Sequence, residues 1–175
     1  LEEARRALVQ SRAATLQTIA SDVKIQVEFN PALVAEYRLI GYENRALQRE
    51  DFNNDQVDAG EIGAGHTVTA LYELALVGSG GERIDGLRYQ RMPNAVGGAE
   101  LAHLRLRYKR PGESHSQLIE RPILTSEILK SVEQASNAYR FAAAVAAFGQ
   151  KLRGGRYTGD YSYDDLLQLA RGARG

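Results

Sequence analysis

Cysteine is absent from the 175 residues. Its absence excludes disulfides, thiolate metal sites and cysteine nucleophiles, and leaves the compartment open. Neither sign of charge is in surplus: 22 Lys and Arg balance 22 Asp and Glu, so the formal net charge is zero. Such a chain has no long-range field to draw in a polyanion, and nucleic-acid binding is not expected. Long hydrophobic runs are missing too. The longest, from Phe141 to Phe148, falls far short of the roughly 20 residues that span a bilayer. The three histidines, His66, His103 and His115, stand apart, with no HxH or HExxH spacing to hold a metal or place a base. No G-x-S-x-G nucleophile elbow occurs either. Catalysis, a metal and a cofactor are therefore not expected. No signal peptide is visible, and the first residue is Leu1, not Met; the chain is expected to be a fragment.

What is present is ordinary for a folded domain: 43% hydrophobic and 25% charged residues, enough to build one core of moderate size. LEEARRALVQ carries Leu1, Ala4, Leu8 and Val9 at helical spacing, with acids before arginines. DVKIQVEF then alternates, setting Val23, Ile25, Val27 and Phe29 against Asp22, Lys24, Gln26 and Glu28, as a half-buried strand does. Asn30-Pro31 breaks it, and AEYRLIGYE resumes the period of two. HTVTALYELALV gives the strongest strand signal, with Val68, Ala70, Tyr72, Leu74 and Leu76 on one face. Residues 78–99 hold six glycines and read as a long connection, with a short strand near Leu87–Gln90. AHLRLRYKR alternates again, Pro111-Gly112 turns the chain, and SQLIER is expected to pair back as a hairpin.

After that the period lengthens. Helical spacing runs from Ser126 to Leu152 within an expected helix over 124–153, and its alanine-rich second half predicts deep burial. A short final helix is expected over 162–172, with Ser162 and Asp165 placed as a capping box. Strands first and helices last predict an α+β fold. Its expected form is an antiparallel β-rich, sandwich-like layer with a long buried C-terminal helix and a short final one.

The strings KIQVEFNPALVAEYRLIGYENR, DFNNDQVDAGEIGAGHTVTALYE, FAAAVAAFGQKLRG and GDYSYDDLLQLAR resemble the region that follows a von Willebrand factor type A domain in bacterial YfbK-like proteins. The likeness covers roughly residues 15 to 172, in order. It implies that residues 1–14 are the last helix of a preceding type A domain and that 15–175 form a β-rich accessory domain. The type A domain itself is the implied partner, along with other envelope proteins, and a membrane-associated or periplasmic location is implied. The Asp-x-Ser-x-Ser metal loop of type A domains is absent from these residues, so that site is not carried over. The resulting expectation is a non-catalytic accessory domain with a protein-binding surface.

DFNNDQVDAGEIGAGH holds the densest chemistry. Asp51, Asn53 and Asp55 occupy positions 1, 3 and 5 of an EF-hand-type loop, with Asp58 and Glu61 further on. The pattern breaks at Gln56, where glycine belongs, and at Ile62, where a bidentate Glu belongs. A calcium-regulated module using 51–61 therefore stands as the alternative to an acidic surface turn. Gly60, Gly63 and Gly65 lack the strand-before, helix-after context of a phosphate cradle and read as turn glycines. In RYTGDYSYDD, Tyr157, Tyr161 and Tyr163 either pack the final helix or form a recognition surface. Arg105 and Arg107, on one strand face, are expected to pair with Glu73 or Glu120 or to bind an anion.

Overall fold

The computed structural model describes residues 17–41, 47–57, 59–84 and 98–173. It is α+β. β1 (Thr18–Phe29), β2 (Val34–Ile40), β3 (Gly60–Gly63), β4 (Leu71–Leu76), β5 (Glu100–Lys109) and β6 (Gln117–Leu124) precede α1 (Asn137–Leu152) and α2 (Tyr163–Gly172). A four-stranded sheet has the order β3-β1-β5-β6, and β2 and β4 form a separate two-stranded sheet. Every pairing among the described residues is antiparallel. The expected preceding helix, residues 1–14, and the strand near Leu87–Gln90 lie outside the described residues.

Alternation in β1 and β5 fixes the two faces of the larger sheet. Ile25 sits opposite Leu106, which sits opposite Ile119; Val27 sits opposite Leu104. These share one face, and Lys24, Gln26, Arg105 and Arg107 share the other. At one end, Phe29 stacks with Tyr37 and Tyr72 of the smaller sheet, ring centroids 4.6 and 5.4 Å apart. The link between the sheets is thus aromatic and local. At the other end the apolar face is open: Ile25 is 50% and Ile119 is 54% exposed.

Asn30 makes the β1–β2 turn. Its amide bonds the carbonyl of Leu101, its side-chain nitrogen that of Glu100, and its side-chain oxygen accepts from Ala32. This network supports buried Val34, Leu101 and Ala102.

Four expectations change. Gly60 and Gly63 do not sit in a loop: they end β3, which pairs with the N-terminal half of β1. The strand expected from His66 starts at Leu71, and residues 66–70 have no regular structure. The helix expected over 124–153 begins only at Asn137. Leu124 still belongs to β6, and residues 125–127 and 132–134 form single 3₁₀ turns. The side-chain oxygens of Glu127 and Gln134 take up the amides of Leu124 and Lys130. Such local bonds compete with a continuous helix. Ser136 then caps α1 by accepting from the Tyr139 amide. Nor is α1 deeply buried. Ala144 alone among its residues is fully enclosed, while Phe141, Val145, Phe148 and Leu152 are all exposed, the least of them, Phe148, at 46%. The alanines made the pattern look buried all round, but one alanine face suffices for close packing. α2 begins as expected, with Ser162 and Asp165 exchanging both bonds of a capping box.

Candidate functional site

The acidic stretch lies across the polar face of the larger sheet. A 3₁₀ turn over Arg49–Asn53 drops Phe52 to 2% exposure, beneath the Arg105 guanidinium 5.0 Å from its ring. Asp55 meets the Arg107 guanidinium at 3.0 Å and accepts from the Ser116 hydroxyl at 2.6 Å. These contacts, the Ser116 hydrogen bond foremost, hold its carboxyl below the ordinary value of 3.8. Arg107 also donates to Asn53 at 3.1 Å, and Lys109 to the Asp55 carbonyl at 2.7 Å.

Beneath the stretch lies a small charged core. The Lys24 side chain is 1% exposed; its ammonium donates to the Asn54 carbonyl at 2.5 Å. It also donates to Asp22 Oδ2 at 3.4 Å; Asp22 Oδ1, although 3.3 Å away, has no hydrogen-bonding geometry. Lys109 reaches Asp22 Oδ2 at 2.9 Å. Asp22 adopts φ 52, a left-handed conformation that Asp tolerates better than most residues. There the registers of β1 with both neighbours shift, marking a bulge that turns the carboxylate inward.

This arrangement decides how the sequence candidates meet. Asn53 and Asp55 converge on Arg107, not on a shared vacancy. Asp51 belongs to the 3₁₀ turn, exposed Glu61 to β3, and Asp58 lies outside the described residues. Among the described residues, no three His, Asp or Glu side chains gather as metal ligands would. Asn54 makes an Asx turn, accepting from the Gln56 amide at 3.0 Å. Gly65, at φ 76, turns the chain after β3. Arg105 pairs with Glu120 at 3.0 Å as expected, whereas Arg107 takes Asp55. His66 is exposed, His103 lies in β5 opposite Glu28 and Pro122, and His115 meets its neighbour Ser114 at 3.0 Å in an exposed turn.

A second site was not foreseen as a unit. Between the smaller sheet and the helices lies a cleft of about 310 Å³, walled by Ile40, Leu71, Ala143, Ala146, Tyr139 and Tyr161. Arg38 lies 3.8 Å over the Tyr157 ring and forms an ion pair with Glu73. Arg83 reaches the same carboxylate at 2.7 Å and the same ring at 4.7 Å. The period of two does place Arg38 and Glu73 on one face of their sheet. Nothing in the sequence brings Tyr157 to them.

The sequence profile described as the C-terminal region of the uncharacterised protein YfbK matches residues 14–175. The chain belongs to this family. It is 46% identical to the YfbK of Escherichia coli K12 over 178 aligned positions, covering 100% of this chain and 30% of that protein. The chain thus spans about a third of the length of the curated relative it matches. No solved structure matches it.

Proposed function

We propose that this chain is a non-catalytic accessory domain that supports a von Willebrand factor type A domain through a protein–protein surface. Its setting would be a longer protein of the cell envelope. The observation that carries this reading is the apolar surface left open among the described residues. One part is the Ile25–Leu106–Ile119 row of the larger sheet. The other is Phe141, Val145, Phe148 and Leu152 of α1, spaced to form a single stripe. Contiguous apolar surface of this kind marks interaction sites on soluble proteins. A match to under a third of the relative supplies polypeptide that such faces can pack against.

The non-catalytic part draws support from the Ser114–His115 contact, which joins sequence neighbours in an exposed turn and, among the described residues, has no acid orienting it in the manner of a triad. The envelope setting rests on family likeness. Hydrogen exchange tests the main claim. Amides of β1, β5, β6 or α1 should exchange more slowly in the longer protein than in this chain alone. Equal exchange throughout would overturn it. Fractionation tests the setting: recovery of the longer protein from the cytosol alone would refute an envelope location.

A further inference from the structure

The two helices run antiparallel as a hairpin. At one end Arg140 of α1 donates to the Gly172 carbonyl of α2 at 2.6 Å. At the other, Phe148 meets Tyr163 with ring centroids 6.1 Å apart, and the Lys151 ammonium lies 5.5 Å from the same ring. The hairpin carries apolar side chains on both of its faces. Ala143, Ala146 and Leu169 line the cleft towards the smaller sheet. On the opposite side of α1 the exposed Phe141, Val145, Phe148 and Leu152 form their stripe. Exposed Tyr163 and Leu167 of α2 extend it, because the Phe148–Tyr163 contact sets the two rows side by side. A helix pair apolar on both faces is suited to be a middle layer, packed on each side.

The charges indicate what packs on the open side. In α2, Asp164, Leu167 and Arg171 follow three-four spacing, and all three are exposed. The acid and the base lie two turns apart, about 10 Å, one on each side of Leu167. Asp165 already serves the helix start through its capping box with Ser162. The same asymmetry spans the hairpin. Asp164 and Asp165 outnumber Lys151 at the Leu152 end, and Arg140 and Arg171 outnumber Glu133 at the Phe141 end. A surface that is apolar in the middle, acidic at one end and basic at the other is its own complement. Turned about a two-fold axis, the acidic end of one copy meets the basic end of the next, and the apolar rows meet each other. A partner of one charge sign would match only one end.

We propose that the open side of this hairpin docks against a second copy of the chain, giving a four-helix arrangement. Leu167 lies near the axis, Asp164 faces the partner's Arg171, and Phe141 packs on the partner's Phe148 and Leu152. The accessory reading counts the same stripe among its open surfaces. Self-association takes the stripe and leaves the Ile25–Leu106–Ile119 row to the neighbouring domain, so the two claims fail separately.

Sedimentation equilibrium of the whole chain over a range of concentrations is the test. The weight-average mass should rise from 19.3 kDa towards twice that value. Asp164→Lys and Arg171→Glu each set like charges opposite one another twice in a two-fold dimer, and each should weaken association about tenfold or more. Mixed together, the two variants should associate with each other about as well as the wild-type chain does with itself, since each supplies what the other lost. Val145→Lys should abolish association in every combination. Circular dichroism of each variant checks that it is folded. A mass of one chain at every concentration would overturn the proposal. So would association that Ile119→Lys abolishes and the helix variants leave intact, which would put the contact on the sheet. Failure of the mixed variants to recover would overturn the antiparallel pairing. Slowed exchange of α1 in the longer protein, together with a mass of one chain for that protein, would give the stripe to the neighbouring domain: the accessory reading would stand and this one fall.

Discussion

Lys24 is a cation in a place the alternation assigns to solvent. It survives there because Asp22 and the Asn54 carbonyl surround its ammonium, and buried charges persist only when paired and hydrogen-bonded. Removing one partner of such a pair strands the other. Lys24→Ala should therefore cost about 3 kcal/mol in urea unfolding, the low end for a broken buried pair because Lys109 still reaches Asp22. Asp55 gives a pH signature. Its carboxyl titrates below the ordinary value in the folded chain, so the unfolded chain takes up the proton first as pH falls. Its stabilising contribution is complete above 3.8 and disappears as pH drops through the lowered folded value. Unfolding midpoints followed from neutral pH down through that range should fall less steeply for Asp55→Asn than for the wild-type chain. Parallel curves would show that Asp55 has no part in acid unfolding.

Among elements, the acidic stretch acts as a clamp on β1 and β5, anchored by one aromatic ring. Phe52→Ala should cost about 3–5 kcal/mol, as other buried Phe truncations do. Asp51→Ala should stay within about 0.5 kcal/mol, as for a surface change. Chemical denaturation of both variants separates a clamp from a metal loop, which would rank them the other way when calcium is present. The capping box at α2 is worth less: Ser162→Ala should lower stability by about 1 kcal/mol. That box was legible because Ser162 and Asp165 are three residues apart, and capping is a local matter. The β5–β6 hairpin and both faces of β1 were legible for the same reason. The start of α1 was not, since Glu127 and Gln134 divert backbone amides locally without breaking the apolar spacing. Which face of β1 the acidic stretch would cover was hidden as well. Alternation separates two faces but does not say what lies on each, and here a loop about 30 residues away covers the charged one.

At the scale of the molecule, burial is uneven. Polar groups of the larger sheet are enclosed while Ile25, Ile119 and the α1 stripe stay in contact with water. Such surface contributes little to the stability of the chain alone. Val145→Ser and Leu152→Gln should each change it by less than about 0.5 kcal/mol, and should reduce self-association in sedimentation runs at high concentration. If the same changes destabilise the longer protein by more, the stripe is covered there. The cleft between the smaller sheet and the helices follows the same logic of distance. Arg38, Gln150 and Tyr157 come from β2, α1 and the segment before α2, so no window of sequence contains it.

Pro122 in β6 bears on how such association can occur. Among the described residues, β6 is an outer strand of its sheet, and the opposite outer strand, β3, is four residues long. A proline offers no amide to an incoming strand, and Glu120 and Arg121 beside it carry charge. Both margins of the sheet are thus poor templates for another β-strand. Fibril-like growth by edge-to-edge addition is discouraged, and a partner must approach the broad surfaces, where side chains rather than backbone determine what fits.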